Sequence, residues 1–203
     1  MQGSRPENIR DGEYVFSIDT CKAFVSRAGH DSVVIEFTVD EAIETAEDGT
    51  RPNRVGSRVR SFYPLYRDRD NELTQDGERW MSRLKTFLAN VLGGEEREVD
   101  GEPAPVTDDE VTPFIAASII KGTEMGVGTM GDEKRAAVMF EVATKKTKDG
   151  GLGMSEDVAN EAIESGQLNF ADISGMKIRC RAKTVLSSKG KKFTNTYWAP
   201  CSE

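Results

Sequence analysis

At 203 residues and 37% apolar composition, the chain is long enough to bury the core of one domain. No stretch approaches the roughly 18 apolar residues of a membrane span, and the opening Met-Gln-Gly-Ser-Arg-Pro-Glu has no apolar leader segment, so neither is expected. A net charge of −8 excludes a surface that is basic all over but leaves room for a local basic groove.

The predicted elements run as follows. Residues 1–11 are polar and expected to be loosely held. Tyr14, Phe16 and Ile18 alternate as a strand does, extending towards Phe24; a glycine-centred turn follows over 26–31. Val33, Ile35, Phe37 and Val39 then share one face of a second strand, so the pair reads as a long hairpin. A polar connection over 40–53 contains the turn dipeptide Asp48-Gly49. Arg58–Leu65 is the third strand.

Trp80, Leu84, Phe87, Leu88 and Val91 form one helical stripe, with Asp76 as the expected N-cap and Gly93-Gly94 as the stop. The acidic stretch 95–113 reads as a linker or loop. Thr112–Ile120 fits a short helix begun by Pro113, or a strand. Ala136–Val142 reads as a strand, and 155–165 as a helix capped by Ser155. Residues 175–185 and 192–198 form a closing hairpin around Ser187–Lys191.

This order predicts a mainly β protein with helices: a five-stranded OB-like barrel with a helix between strands three and four. Residues 95–172 would be an acidic and glycine-rich insertion before strand four, decorating a single domain that spans 1–203.

Two stretches carry the functional signal. Residues 51–69 hold six arginines against one acid, and strand alternation puts Arg58, Arg60 and Phe62 on one face. On the later strand Lys177, Arg179, Arg181 and Lys183 point one way, while Ile178, Cys180 and Ala182 point the other. Cations that follow phosphates, beside rings that stack bases, are what single-stranded nucleic-acid binding requires. Arg54, Tyr66, Lys189, Lys191, Lys192 and Trp198 complete the candidate set, the three lysines in a loop that would flank an OB groove. Solvation of a wet sheet face and protection of a strand edge are the competing explanations for these charges.

Catalytic and metal signals are absent from the sequence. The three cysteines (Cys21, Cys180, Cys201) and the single His30 have no zinc-ligand spacing, so no metal or cofactor is expected and the thiols suit a reducing, cytoplasmic setting. No nucleophile elbow or phosphate-loop lysine occurs, and Gly126-Val-Gly-Thr-Met-Gly131 lacks the Lys-Ser/Thr that such a loop needs. The chain does not read as an enzyme.

The segment Phe170–Lys183, followed by Ser188-Lys-Gly-Lys-Lys-Phe-Thr-Asn-Thr-Tyr-Trp198, resembles the closing hairpin of bacteriophage single-stranded DNA-binding proteins with an OB fold. Gly12–Ile18 resembles their opening strand and Trp80–Leu92 their helix, so the resemblance covers residues 11–94 and 168–200. It implies a cytoplasmic accessory of replication or recombination that coats single-stranded DNA without reading sequence. Replication or recombination proteins are the implied further partners, and homo-oligomerisation is left open. Two features depart from that pattern: the final residues carry one acid instead of an acidic tail, and the glycine-rich 122–153 has no counterpart. The rival expectation is a protein-interaction module, a phage anti-defence or assembly factor docking through the acidic segment 95–110.

Overall fold

The computed structural model describes residues 5–27, 29–44, 49–70, 72–93, 98–99, 102–168, 170–187 and 190–201. Its elements are β1 (Glu7–Asn8), β2 (Gly12–Val25), β3 (Asp31–Ile43), β4 (Arg58–Leu65), α1 (Gln75–Leu92), β5 (Glu98–Val99), β6 (Glu102–Pro103), α2 (Pro113–Met125), α3 (Asp132–Thr144), α4 (Glu156–Glu164), β7 (Lys177–Leu186) and β8 (Lys192–Pro200). Among the described residues no helix is long and apolar enough to cross a membrane.

Six strands form one sheet in the order β1-β4-β3-β2-β7-β8, all antiparallel except the β1–β4 pair. The sheet curls into a half-barrel. This corrects two expectations: the sheet has six strands, not five, and the barrel is not closed. Hydrogen-bonded neighbours sit about 4.8 Å apart, whereas β4 and β8 come no closer than 8 Å, Cα to Cα. The extra strand comes from the segment expected to be loose. Asn53, almost fully buried, accepts from the Arg10 amide (2.9 Å) and its own amide donates to the Tyr14 hydroxyl (3.1 Å), which pins the chain ahead of β2 against β4.

Alternation explains the long strands. Tyr14, Phe16 and Ile18 of β2 meet Val33, Ile35, Phe37 and Val39 of β3 on the inner face, with Val59 and Tyr63 from β4 and Ile178, Cys180 and Ala182 from β7. Register shifts at Val15/Phe16 and Ile18/Thr20 break the period once each, and with the second of them Cys21 again faces inward. The stripe Leu84, Phe87, Leu88 and Val91 of α1 plugs the open side of this core against β4 and β8.

Thr74, not Asp76, caps α1: its hydroxyl accepts from the Gly77 amide at 3.2 Å, and its amide is held by the Tyr66 carbonyl. Gly77 is flush against the Tyr66 backbone, where a Cβ would collide with its carbonyl oxygen, so the helix starts two residues earlier than Asp76 suggests. Asp76 lies in the first turn, where a carboxylate still complements the helix dipole.

Residues 113–125 settle as helix α2, with Thr112 accepting from the Ile115 amide and Pro113 in the first turn. The strand expected at Ala136–Val142 is instead part of α3. Asp132 and Glu133 occupy its first turn, two alanines favour the helix, and Met139, Val142 and Ala143 form the i, i+3, i+4 stripe that is buried. Ser155 caps α4 as expected, accepting from the Val158 amide. A second apolar cluster, including Val127, Ala143, Ala159, Leu168 and Phe170, joins α3 and α4, while α2 packs on β2.

Candidate nucleic-acid interface

The cationic residues lie on the outer face of the curled sheet, opposite the core, but they do not form one furrow. From β4 inward the outer rows are Arg58–Thr38–Ser17–Lys177, then Arg60–Glu36–Thr20, then Phe62–Val34–Lys22. The β7 set stands three strand spacings from the β4 set, roughly 14 Å across the sheet. Between the two sets lie Asp19, Glu36 and Asp40.

These carboxylates engage several of the predicted cations. Arg58 donates to Glu36 at 2.6 Å and to Asp19 at 3.4 Å. Lys177 lies 3.4 Å from Asp40, and Arg181 lies 3.7 Å from Glu13. Asp19 and Asp40 also accept from Thr38 and Ser17, so the middle of the face is a knitted, nearly neutral polar strip. Arg60, Arg179 and Lys183 form no ion pair among the described residues. Arg54 is exposed in the turn before β4, and Lys191 and Lys192 are exposed where β8 begins. Lys189 lies outside the described residues.

The rings divide in the same way. Phe62 is 44% exposed and stands 6.1 Å from Phe24, which is also 44% exposed; the two rest beside Val34 on the outer face. Phe24 was missed from the sequence because the register shift at Ile18/Thr20 moves it to the outer face, which strict alternation does not show. Tyr66 is exposed and meets the His30 ring edge-on at 5.1 Å, so the turn between β2 and β3 closes the same end of the platform. Trp198 is elsewhere. It pairs with Cys180 on the inner face and packs on Phe37 (5.4 Å) and Phe87 (5.0 Å), so it belongs to the interior and not to the cationic outer strip. The exposed β8 rings are Phe193, opposite Val185, and Tyr197, opposite Arg181.

A groove of about 840 Å³ occupies the gap between β4 and β8; Arg60, Phe62 and Phe24 line one side, Thr194, Thr196 and Trp198 the other, with Trp80 and Arg83 of α1 also in its lining. A smaller hollow of about 440 Å³ holds Arg179, Arg181 and Tyr197. Of the acidic segment 95–110, residues 95–97, 100 and 101 lie outside the described residues. Asp108 accepts from Thr86, and Glu110 accepts from Thr107.

No protein-family model and no curated relative matches the chain. Among the described residues no group of three or more His, Cys, Asp or Glu side chains is placed to hold a metal ion.

The thiols are chemically quiet. Burial pushes Cys21 up to about 12, with Glu124 adding to the effect, and burial also raises Cys180. An ordinary thiol titrates near 8.5, so at pH 8 both stay protonated while half-buried Cys201 does not share their burial. A disulfide-exchange reagent should therefore modify one thiol in the native protein and three after denaturation. Rapid native modification of two or more would contradict this burial. Because the folded values are raised, the stability these groups contribute is complete below pH about 8.5 and is lost as pH rises towards about 12.

Proposed function

We propose that the protein binds single-stranded DNA without reading its sequence, using an open variant of the OB barrel. The long strands follow the OB path, 3-2-1-4-5, when β2, β3, β4, β7 and β8 are counted one to five, and α1 lies between the third and fourth. In OB proteins the face of strands two and three, with the loops beside it, takes oligonucleotides. The observation that carries the proposal is what that face and the adjoining end of strand one hold: the exposed Phe62 with Arg60 beside it, Phe24 of strand one next to Phe62, and the His30–Tyr66 contact at the same end.

Bases would stack on the two phenylalanines, which accept any base because every base has a π-face. Arg60 would meet phosphate, and Arg179 and Lys183 would take phosphates further along the strand. Arg58 contributes less, since Glu36 and Asp19 already balance it. The biological setting that fits is coating of displaced strands during replication or recombination in the cytoplasm, as in the phage proteins the chain resembles.

The test is a titration with oligo-dT across a salt series, with duplex of equal length as comparison. Affinity should fall with salt by a slope of about −0.7 per phosphate neutralised. Arg60→Ala and Arg179→Ala should each flatten the slope by about 0.7, whereas Arg58→Ala should leave it unchanged. No binding at low salt, or equal preference for duplex, overturns the proposal.

A further inference from the structure

The outer platform of Phe24, Phe62 and Arg60 forms only one wall of the seam between β4 and β8, and the rest of that seam also has the composition of a binding site. Its groove of about 840 Å³ is lined by both tryptophans of the chain, Trp80 and Trp198, together with Tyr63 and the hydroxyl side chains of Ser61, Thr194 and Thr196. Trp80 stands edge-on to Tyr63 at 6.2 Å, and the Arg83 guanidinium lies 5.0 Å from the centre of the Trp80 ring.

Tyr63 is the telling residue. It is 2% exposed; among the described residues its hydroxyl makes no hydrogen bond of good geometry, and the Ser61 and Trp198 side chains are only marginal hydrogen-bond partners for it. A buried hydroxyl left unpaired is unfavourable, and a polar ligand entering beside it relieves that cost.

The seam also joins what the sheet separates. Arg60 and Phe62 stand on one rim, and Tyr197, 58% exposed, on the other. Tyr197 lines the smaller hollow with Arg179 and Arg181 as well. Across the outer face the two cationic sets are divided by Asp19, Glu36 and Asp40; across the seam no carboxylate lies between Arg60 and Tyr197 in the groove lining except Glu36, which Arg58 already engages.

Resting on the single-stranded DNA reading, we infer that the bound strand crosses from β4 to β7 through this seam and inserts one base into it. The base lies against Trp80 and Trp198, which both line the groove. Its polar edge meets the hydroxyls of Ser61, Thr196 and Tyr63, and the adjoining phosphate meets Arg83. A purely apolar ligand would leave those hydroxyls unpaired, whereas a nucleobase carries a flat π-face and a hydrogen-bonding rim together.

Because both tryptophans line the seam, intrinsic emission reports its occupancy separately from total binding. Labelled (dT)20 should be followed by anisotropy, and unlabelled (dT)20 by tryptophan emission, on the intact protein. Expected is quenching with the same midpoint as the anisotropy change. Arg83→Ala and the groove-filling Thr196→Phe should each bind about tenfold more weakly and lose most of the quench. Phe62→Ala should weaken binding but keep the quench at saturation.

If the wild type binds by anisotropy while its emission stays constant and Arg83→Ala binds as tightly, the seam inference is overturned and the DNA-binding reading stands. If the wild type does not bind, both are overturned. Thermal melting checks that each variant folds; should Thr196→Phe not fold, the wild-type emission and Arg83→Ala decide the matter.

Discussion

Replacing both rings of the outer platform, Phe24→Ala with Phe62→Ala, is expected to weaken oligo-dT binding roughly thirtyfold, about 2 kcal/mol, from stacking worth about 1–3 kcal/mol per base. The two rings are 6.1 Å apart and form one continuous surface, so they serve one or two bases together and their single effects should not simply add. Each ring is nearly half exposed, so the double variant should melt within a few degrees of the wild type. The measurement is anisotropy at fixed low salt, paired with a thermal melt. Unchanged affinity with an unchanged melt would remove the platform from the binding surface and with it the main support for the proposed function. The salt slope should hardly move, because the rings carry no charge, and this separates their role from that of Arg60.

The long strands and α1 were legible because their apolar residues keep a clean period: Val33, Ile35, Phe37 and Val39 at two, and Leu84, Phe87, Leu88 and Val91 at helical spacing. α3 was not, since Ala136–Val142 is a short apolar run that suits either period, and only the packing of Met139, Val142 and Ala143 onto α4 and the loop after it decides it. β1 was illegible for a different reason. Its two residues are polar and exposed, and what holds them is the buried Asn53 more than forty residues away. At the site, alternation gave the faces of Arg58, Arg60 and Phe62 correctly. It carried no information about which carboxylates those cations would meet, because Asp19 and Glu36 reach Arg58 from two other strands. Trp198 illustrates the same limit: its strand was foreseen, but its face follows from pairing with Cys180.

Phe87→Ala should be the most damaging single change in the half-barrel. A closed barrel holds its first and last strands together by backbone hydrogen bonds; here β4 and β8 remain more than 8 Å apart and share α1 instead. Phe87 is the fully buried ring at that junction, 5.0 Å from Trp198 on β8, 5.9 Å from Phe37 on β3 and 6.4 Å from Tyr63 on β4. Truncating a buried phenylalanine costs about 3–5 kcal/mol, transfer and cavity together. In a chain of this length each kcal/mol lowers Tm by about 2–4 °C, so a drop of roughly 10 °C is expected. The near-ultraviolet circular dichroism should change as well, because Trp198 and Tyr63 lose the ring that fixes them on either side of the seam. A loss under about 1 kcal/mol with an unchanged near-ultraviolet spectrum would mean that the two edges are held by something other than α1. In that case the seam would not depend on the helix, and DNA binding should survive the substitution; if α1 is the clamp, binding should weaken in step with the spectral change, at temperatures where the variant is still folded.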